Sequence, residues 1–209
     1  QLESEADACE DIGSNFSAID IMAVLFEKVD IAKDEVILSA GWKAAAWYYF
    51  LWKKGVITEN ELNSFCQEGS KFIGLVEPQN RWGLRVAGGS MGMGLSFAVG
   101  FALSKKLKGE DGKVYILMSD GELQCGTTWE SFLIAERYKL DNLIVLIDAN
   151  GFQAMGKTDD ILEIPTDVFR FFGDSWFYDG HNFEEIERAI DSSEGENPRI
   201  SYFETIKGK

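Results

Sequence analysis

The chain has 209 residues and a formal net charge of −15, because 35 aspartates and glutamates outnumber 20 lysines and arginines. This length suffices for one large domain with a sizeable core, and the negative charge argues against nucleic acid and acidic membrane surfaces as partners. The sequence has no apolar run of ~18 residues, so we expect no membrane span, and its acidic start lacks the features of a signal peptide.

The first half of the chain predicts several helices and one short strand. In chain order these are a helix over residues 17–26, a strand over 36–39, a buried aromatic helix over 42–54, a helix that opens at 58–61 and an irregular loop over 68–89. We expect Ser17 to cap the first helix, because Asp20 follows three positions later. The aromatic helix should end near Gly55.

The second half predicts alternating helices and strands. In chain order these are a helix over 90–107, a strand over 114–118, a helix over 128–138, a strand over 143–147, a strand over 176–178, a helix over 183–191 and a strand over 202–206. The alternation predicts an α/β fold in which helices flank a doubly wound parallel sheet, within a single domain over residues 1–209.

Two other features of the sequence are a repeat of small residues and the spacing of the cysteines. Gly92, Ser96 and Gly100 recur every four residues along the predicted long helix, and both internal packing and a subunit contact explain that spacing. Cys9, Cys66 and Cys125 are odd in number and widely spaced, which predicts free thiols in a reducing compartment. We therefore expect a cytoplasmic protein.

Polar motifs follow two of the predicted strands. Asp120 and Gly121 come directly after the strand over 114–118, and Asn150 follows the strand over 143–147. Open α/β sheets bind ligands at the carboxyl ends of their strands. A carboxylate, an amide oxygen and a backbone carbonyl are ligands that suit Mg²⁺ when phosphates complete its coordination, and a glycine lets a phosphate approach the backbone.

A plainer interpretation of these residues is structural. Asp120 could cap a helix, and Asn150 could form a turn with Gly151. The position of both motifs at strand ends favours the metal interpretation.

The motifs also resemble a known signature. Asp120-Gly121, followed at a distance by Asn150, resembles the thiamine diphosphate signature Gly-Asp-Gly…Asn, with Ser119 in place of the first glycine. Further segments are similar, in the same order, to the diphosphate-binding half of transketolases: residues 89–96, 120–124, 138–144, 150–153, 179–182 and 205–209. The resemblance covers nearly the whole chain.

The resemblance implies thiamine diphosphate and Mg²⁺ as cofactors, and it assigns residues to them. The implied metal ligands are Asp120, Asn150 and the carbonyl of Phe152. The implied cofactor contacts also include Gly121 and Glu122 near the diphosphate, and Gly89 and Met91 near the aminopyrimidine and thiazolium rings. A structural hydrogen bond for Glu122 and a core position for Met91 are the alternatives. For His181, the single histidine, a structural role is favoured.

Departures from the family pattern bear on the substrate. Relatives carry Ser-Lys-Gly-His where this chain has residues 39–42, so Trp42 replaces a histidine that would contact cofactor phosphate or substrate. Two other family histidines are absent, near residues 13–16 and 75–78, and Cys125 stands where relatives have a glutamate that lies between the two active sites. Histidine is the usual proton carrier near neutral pH, so these losses predict an unusual substrate.

The resemblance also implies a partner chain. In transketolases a glutamate of a second, pyrimidine-binding domain activates the cofactor, and this sequence ends where the first domain of the family ends. We therefore expect the small subunit of a split transketolase-like enzyme, in a heterotetramer, acting on sugars or sugar phosphates. The assembled enzyme would transfer a two-carbon ketol unit from a ketose to an aldehyde. The alternatives are thiamine-dependent decarboxylation of a 2-oxo acid with acyl transfer, and a catalytically silent regulatory subunit.

Overall fold

The computed structural model describes residues 12–172, 174–191 and 195–209. Its strands are β1 (Glu35–Leu38), β2 (Val114–Ser119), β3 (Leu143–Ala149), β4 (Phe152–Gln153), β5 (Gly156–Lys157), β6 (Asp174–Asp179) and β7 (Arg199–Glu204). Its α-helices are α1 (Ile12–Lys28), α2 (Ala44–Lys53), α3 (Glu59–Asn63), α4 (Met93–Lys108), α5 (Gly126–Arg137), α6 (Thr158–Leu162) and α7 (Phe183–Asp191). Short 3₁₀ helices cover Gly41–Lys43, Asp120–Gln124 and Thr166–Phe171.

Five strands form one parallel sheet in the order β1-β2-β3-β7-β6. β2 and β3 are neighbours in register, so that Ser119 pairs with Asp148 at their carboxyl ends. β4 and β5 pair as a small antiparallel hairpin just after β3. The prediction of a doubly wound parallel sheet is confirmed.

Both faces of the sheet are buried, which explains the continuous apolar runs of its strands. Along β2, Tyr115 and Leu117 pack in the cluster that contains residues of α1, α2 and α7. Val114, Ile116 and Met118 alternate with them and pack in the cluster that contains residues of α4 and α5. This two-residue period places one helical layer on each face and leaves the strand ends open for a site.

The first helix differs from its prediction. Within the described residues α1 runs from Ile12 to Lys28, so Ser17 lies inside it and does not cap it. The Ser17 hydroxyl is fully buried and donates to Oδ2 of Asp148 at 2.7 Å. A tertiary hydrogen bond therefore replaces the predicted local one.

The predicted capping pattern at Thr58 is confirmed, although the helix that follows is short. Oγ1 of Thr58 accepts from the Glu61 N–H, and the Glu61 carboxylate accepts from the Thr58 N–H. The loop over 68–89 is irregular as predicted, apart from one bridge between Phe72 and Val76.

The small-residue repeat has two different environments. The hydroxyls of Ser96 on α4 and Ser131 on α5 are 2.9 Å apart, and a Cβ on Gly92 would lie 2.4 Å from Oγ1 of Thr127. A Cβ on Gly100 would meet nothing within 4 Å. Close packing of α4 on α5 therefore explains the first two positions, and Gly100 faces open space.

The prediction of free thiols is wrong for Cys66, which is disulfide-bonded, and right for Cys125. Cys9 lies outside the described residues. Distance along the chain does not set distance in space, so wide spacing could not exclude a disulfide. Across the described ranges, no helix is both long enough and apolar enough to cross a membrane.

Candidate functional site

The carboxyl ends of β2 and β3 bring the two predicted polar motifs side by side. Asp120 follows β2 directly, and Asn150 follows β3 directly. Because the strands are in register, the N–H of Gly151 reaches Oδ2 of Asp120 at 2.9 Å. Both motifs therefore lie together at the carboxyl edge of the sheet, as the sequence predicted.

Asp120 is a buried carboxylate with neutral partners. Its oxygens accept from the N–H groups of Gly121 and Gly151, both at 2.9 Å, and from the Thr158 hydroxyl at 3.0 Å. No cationic side chain of the described ranges pairs with it. Burial raises the pKa of the Asp120 carboxyl, and the bonds from Thr158 and Gly151 oppose that rise. Asp120 borders a small cavity of about 90 Å³.

Asn150 belongs to a buried polar network that sequence reasoning did not find. Its Oδ1 accepts from the Phe152 N–H at 3.0 Å, and its Nδ2 donates to Oδ2 of Asp148 at 3.2 Å. The same Asp148 oxygen accepts from Ser17 at 2.7 Å and forms an ion pair with Nζ of Lys43 at 2.8 Å. Four segments that are distant in sequence thus meet, since Asp148 Oδ1 also accepts from the hydroxyl of Thr205.

Glu122 is the second buried carboxylate of the site. Oε2 accepts from the Ser119 N–H at 2.9 Å, and Oε1 accepts from the Gly92 N–H at 3.0 Å and from the Ser39 hydroxyl. Burial raises the pKa of the Glu122 carboxyl, and these hydrogen bonds, led by that of Ser39, oppose the rise. Glu122 therefore fastens the start of α4 and the end of β1 to the turn after β2, in agreement with the structural alternative.

A cavity of about 470 Å³ opens beside this network. Its lining comes from the segment after β1, the start of α4, the turn after β2, the β4 hairpin and the C-terminal segment: Ser14, Ser39, Ala40, Gly41, Trp42, Lys43, Gly89, Met91, Ser119, Glu122, Asn150, Phe152, Gln153, Ala154 and Lys207. The site residues expected from the sequence are therefore gathered here, except Gly121 and Asp120, of which Asp120 borders the small cavity of about 90 Å³. A larger surface cleft near Arg81 contains none of them.

Three of the exposed side chains that border this cavity are large and apolar. Trp42 and Phe152 are each 41% exposed, and Met91 is 40% exposed, so Met91 is not a core residue. The backbone is also close-packed here, because a Cβ on Gly41 would lie 2.5 Å from the Cα of Gly89. Apolar surface at the rim and glycine backbone within form a shape that can hold a flat ring.

His181 has the structural role that the sequence favoured. Its Nδ1 lies 2.9 Å from Oδ2 of Asp20 on α1, and its Nε2 accepts from the Ile206 N–H at 3.0 Å. It does not border the large cavity. The histidine instead connects the C-terminal segment to α1.

Lys43, Asp148 and Thr205 are functional candidates that sequence reasoning missed. Lys43 stands within a long apolar run, and Asp148 ends an apolar strand two residues before Asn150. A charged residue in an apolar run was the available signal, because such a residue is buried only when it is paired. Its partner could not be found from the sequence, since Lys43 and Asp148 meet only in the folded chain.

The chain is similar to transketolases in sequence. Residues 12–209 match the family described as transketolase, thiamine diphosphate binding domain. The chain is 35% identical over 170 residues to an apulose-4-phosphate transketolase subunit of Actinobacillus succinogenes, and the match covers 77% of this chain and 62% of that protein. It is 31% identical over 214 residues to the 6-deoxy-6-sulfo-D-fructose transketolase subunit of a Clostridium species, covering 95% and 77%.

The similarity extends to solved structures and is partial in length. The transketolase of Campylobacter jejuni superposes with a TM-score of 0.79 at 24% identity, over 98% of this chain and 37% of that chain. This match concerns the fold. The chain spans about two thirds of the length of the first curated relatives that it matches.

Proposed function

The chain belongs to the transketolase family, as a thiamine diphosphate-binding domain, and we propose that it is the diphosphate- and Mg²⁺-binding subunit of a split transketolase-like enzyme. The assembled enzyme transfers a two-carbon ketol unit from a ketose to an aldehyde. The observation that carries this proposal is that buried Asp120 and buried Asn150 directly follow two adjacent, in-register parallel strands. Two relatives that are named as transketolase subunits support the split arrangement.

The donor set fits Mg²⁺. Asp120 supplies a buried carboxylate whose partners are neutral, and Asn150 and Phe152 supply an amide oxygen and a backbone carbonyl. Oxygen donors of these kinds suit Mg²⁺, and a bound cation compensates a buried negative charge. In the described arrangement Asp120 bonds to Gly151 and Thr158, so metal binding requires it to exchange these bonds for the ion.

The backbone beside the metal residues suits a diphosphate. A Cβ on Gly121 would lie 3.0 Å from Cβ of Gln153 and 3.5 Å from Cε of Met91, so that only glycine leaves the turn uncrowded. Backbone N–H groups at such turns bind anions. Gly89 and Met91 at the cavity rim hold the rings of the cofactor, with the polarisable sulfur of Met91 against a ring.

The partner completes the site. Bound thiamine diphosphate supplies the carbon nucleophile that carries the two-carbon unit. This chain orients the diphosphate end and shields it from water, and a pyrimidine-binding subunit supplies the activating glutamate. We propose a heterotetramer of the two kinds of subunit.

The metal assignment is tested by replacing Asp120. The chain assembled with its pyrimidine-domain partner is titrated with thiamine diphosphate in a calorimeter, with and without Mg²⁺. We expect Mg²⁺-dependent binding that Asp120→Ala abolishes, because the variant lacks the charged metal ligand. Asp141→Ala, at an exposed aspartate in the turn before β3, is the matched control and should bind normally. Unchanged affinity in Asp120→Ala would overturn the metal site.

A further inference from the structure

Lys43 is a buried cation on the wall of the 470 Å³ cavity. The residue is 2% exposed, and its ammonium lies 2.8 Å from Oδ2 of the fully buried Asp148. It also borders the cavity together with Asn150 and Glu122. A lysine is rarely buried to this degree unless its charge is used or paired.

Pairing with Asp148 does not use the full bonding capacity of Lys43. Asp148 already accepts from the hydroxyls of Ser17 and Thr205 and from Nδ2 of Asn150. A lysine ammonium has three N–H donors, and within the described ranges Asp148 is the one polar partner found for it. The ammonium therefore retains donors on a side chain that borders the cavity.

The charge balance of the site calls for such a donor. Asp120, Glu122 and Asp148 are buried carboxylates, while Lys43 is the buried cation that borders the cavity. An anion that enters this region approaches these buried carboxylates, and a metal ion, Lys43 and the exposed Lys207, which also borders the cavity, oppose their negative charge. Lys43 and Asn150 contact the same oxygen of Asp148, at 2.8 and 3.2 Å, so the ammonium lies beside the amide assigned to the metal.

We propose that Lys43 binds the diphosphate group of the cofactor by donating from its ammonium to a phosphate oxygen. This inference rests on the proposed function of the cavity and adds a binding residue to it. The position next to Lys43 is occupied by Trp42, which has no charge to offer, and His181 does not border the cavity. Asp148 holds the lysine in place, and its own charge is balanced by that lysine.

The experiment separates direct binding by Lys43 from simple neutralisation of Asp148. Two variants are compared in the protein assembled with its partner: Asp148→Asn, whose amide oxygen can still accept from the Lys43 ammonium, and Asp148→Asn with Lys43→Met. Neither variant leaves a buried carboxylate unpaired. Isothermal titration with inorganic pyrophosphate and Mg²⁺, and separately with thiamine diphosphate and Mg²⁺, gives the affinities. Urea unfolding without ligand reports whether each variant is folded, and Lys108→Met, at an exposed lysine, is the control.

A charge-assisted hydrogen bond predicts that the double variant binds both probes about 10- to 100-fold more weakly than Asp148→Asn. Lys108→Met should bind as the unaltered chain does. Equal affinity of the two Asp148 variants, with normal binding by the unaltered chain, would overturn the role of Lys43 and leave the proposed function standing. Failure of the unaltered chain, assembled with its partner, to bind either probe would overturn both.

Discussion

Trp42 is the residue at which this chain departs most clearly from its family. It is 41% exposed and borders the cavity, so it does not pack into the core. An indole can donate one hydrogen bond and carries no charge, whereas the histidine of relatives can exchange a proton. The side chain therefore adds bulk to the cavity and removes a partner for a phosphate or sugar hydroxyl.

We predict that a phosphate on the ketose donor raises kcat/KM of the assembled enzyme only slightly, and that Trp42→His makes this increase larger. A lost donor to a buried polar group is worth roughly 1–3 kcal/mol, so kcat/KM for phosphorylated donors should rise about tenfold or more. Steady-state kinetics with paired phosphorylated and unphosphorylated ketoses measures this. Trp176→His, at an exposed tryptophan of the edge strand β6, should change nothing. Efficient use of pentose phosphates that is insensitive to Trp42→His would refute the prediction.

Glu122 makes the stability of the ligand-free chain depend on pH. Burial raises the pKa of its carboxyl, so the folded chain holds this proton more tightly than the unfolded chain does. The contribution of Glu122 to the free energy of unfolding is fully present below the ordinary glutamate pKa of about 4.3. It is lost as the pH rises through the raised pKa of the folded chain. The unfolding free energy from this group therefore falls with rising pH.

The corresponding prediction concerns a slope. Glu122→Gln should flatten the fall in unfolding free energy above about pH 4, because the substituted amide does not titrate. Urea denaturation of the ligand-free chain across this range gives the slope. Glu68→Gln, at an exposed glutamate, should leave it unaltered. Identical slopes for Glu122→Gln and the unaltered chain would show that Glu122 does not titrate as described.

At the scale of elements, α4 offers a matched pair of glycines. Gly92 has a φ of 80° at the start of the helix, and a Cβ there would lie 2.4 Å from Oγ1 of Thr127. Gly92→Ala should therefore destabilise the chain by roughly 1–3 kcal/mol. Gly100→Ala, in open space within the helix, should stabilise it by roughly 0.5–1 kcal/mol. Chemical denaturation of both variants tests the assignment, and destabilisation by Gly100→Ala would mean that this face of α4 is covered.

The longer elements were predictable from the sequence because their signals are local, although the strand predicted over 202–206 is β7 at Arg199–Glu204, and neither α6 nor the 3₁₀ helix over Thr166–Phe171 was predicted. Apolar β-branched runs identified β2 and β3, and the capping pattern identified the start of α3. The β4 hairpin and the 3₁₀ turn at Gly41–Lys43 were not predicted, since two- and three-residue elements carry too little pattern. The long-range network around Asp148 was missed for a different reason, namely that its bonds join residues up to 133 positions apart.

At the scale of the whole molecule, we predict that ketol transfer depends on a partner subunit. The purified chain alone should show no ketol transfer, and addition of a pyrimidine-binding transketolase subunit should restore it. The motivation is that two relatives of the chain are named as transketolase subunits. Product analysis with ketose and 2-oxo acid donors also separates ketol transfer from decarboxylation. Turnover by the chain alone would contradict the split arrangement.

The most direct test of the central claim is a crystal structure of the assembled enzyme with thiamine diphosphate and Mn²⁺, recorded at the manganese absorption edge. Mn²⁺ stands in for Mg²⁺ because both prefer oxygen ligands. We predict one metal peak roughly 2.0–2.3 Å from a carboxylate oxygen of Asp120, Oδ1 of Asn150 and the Phe152 carbonyl, with the diphosphate beside Gly121. A metal and diphosphate bound elsewhere, with Asp120 still bonded to Gly151 and Thr158, would contradict it.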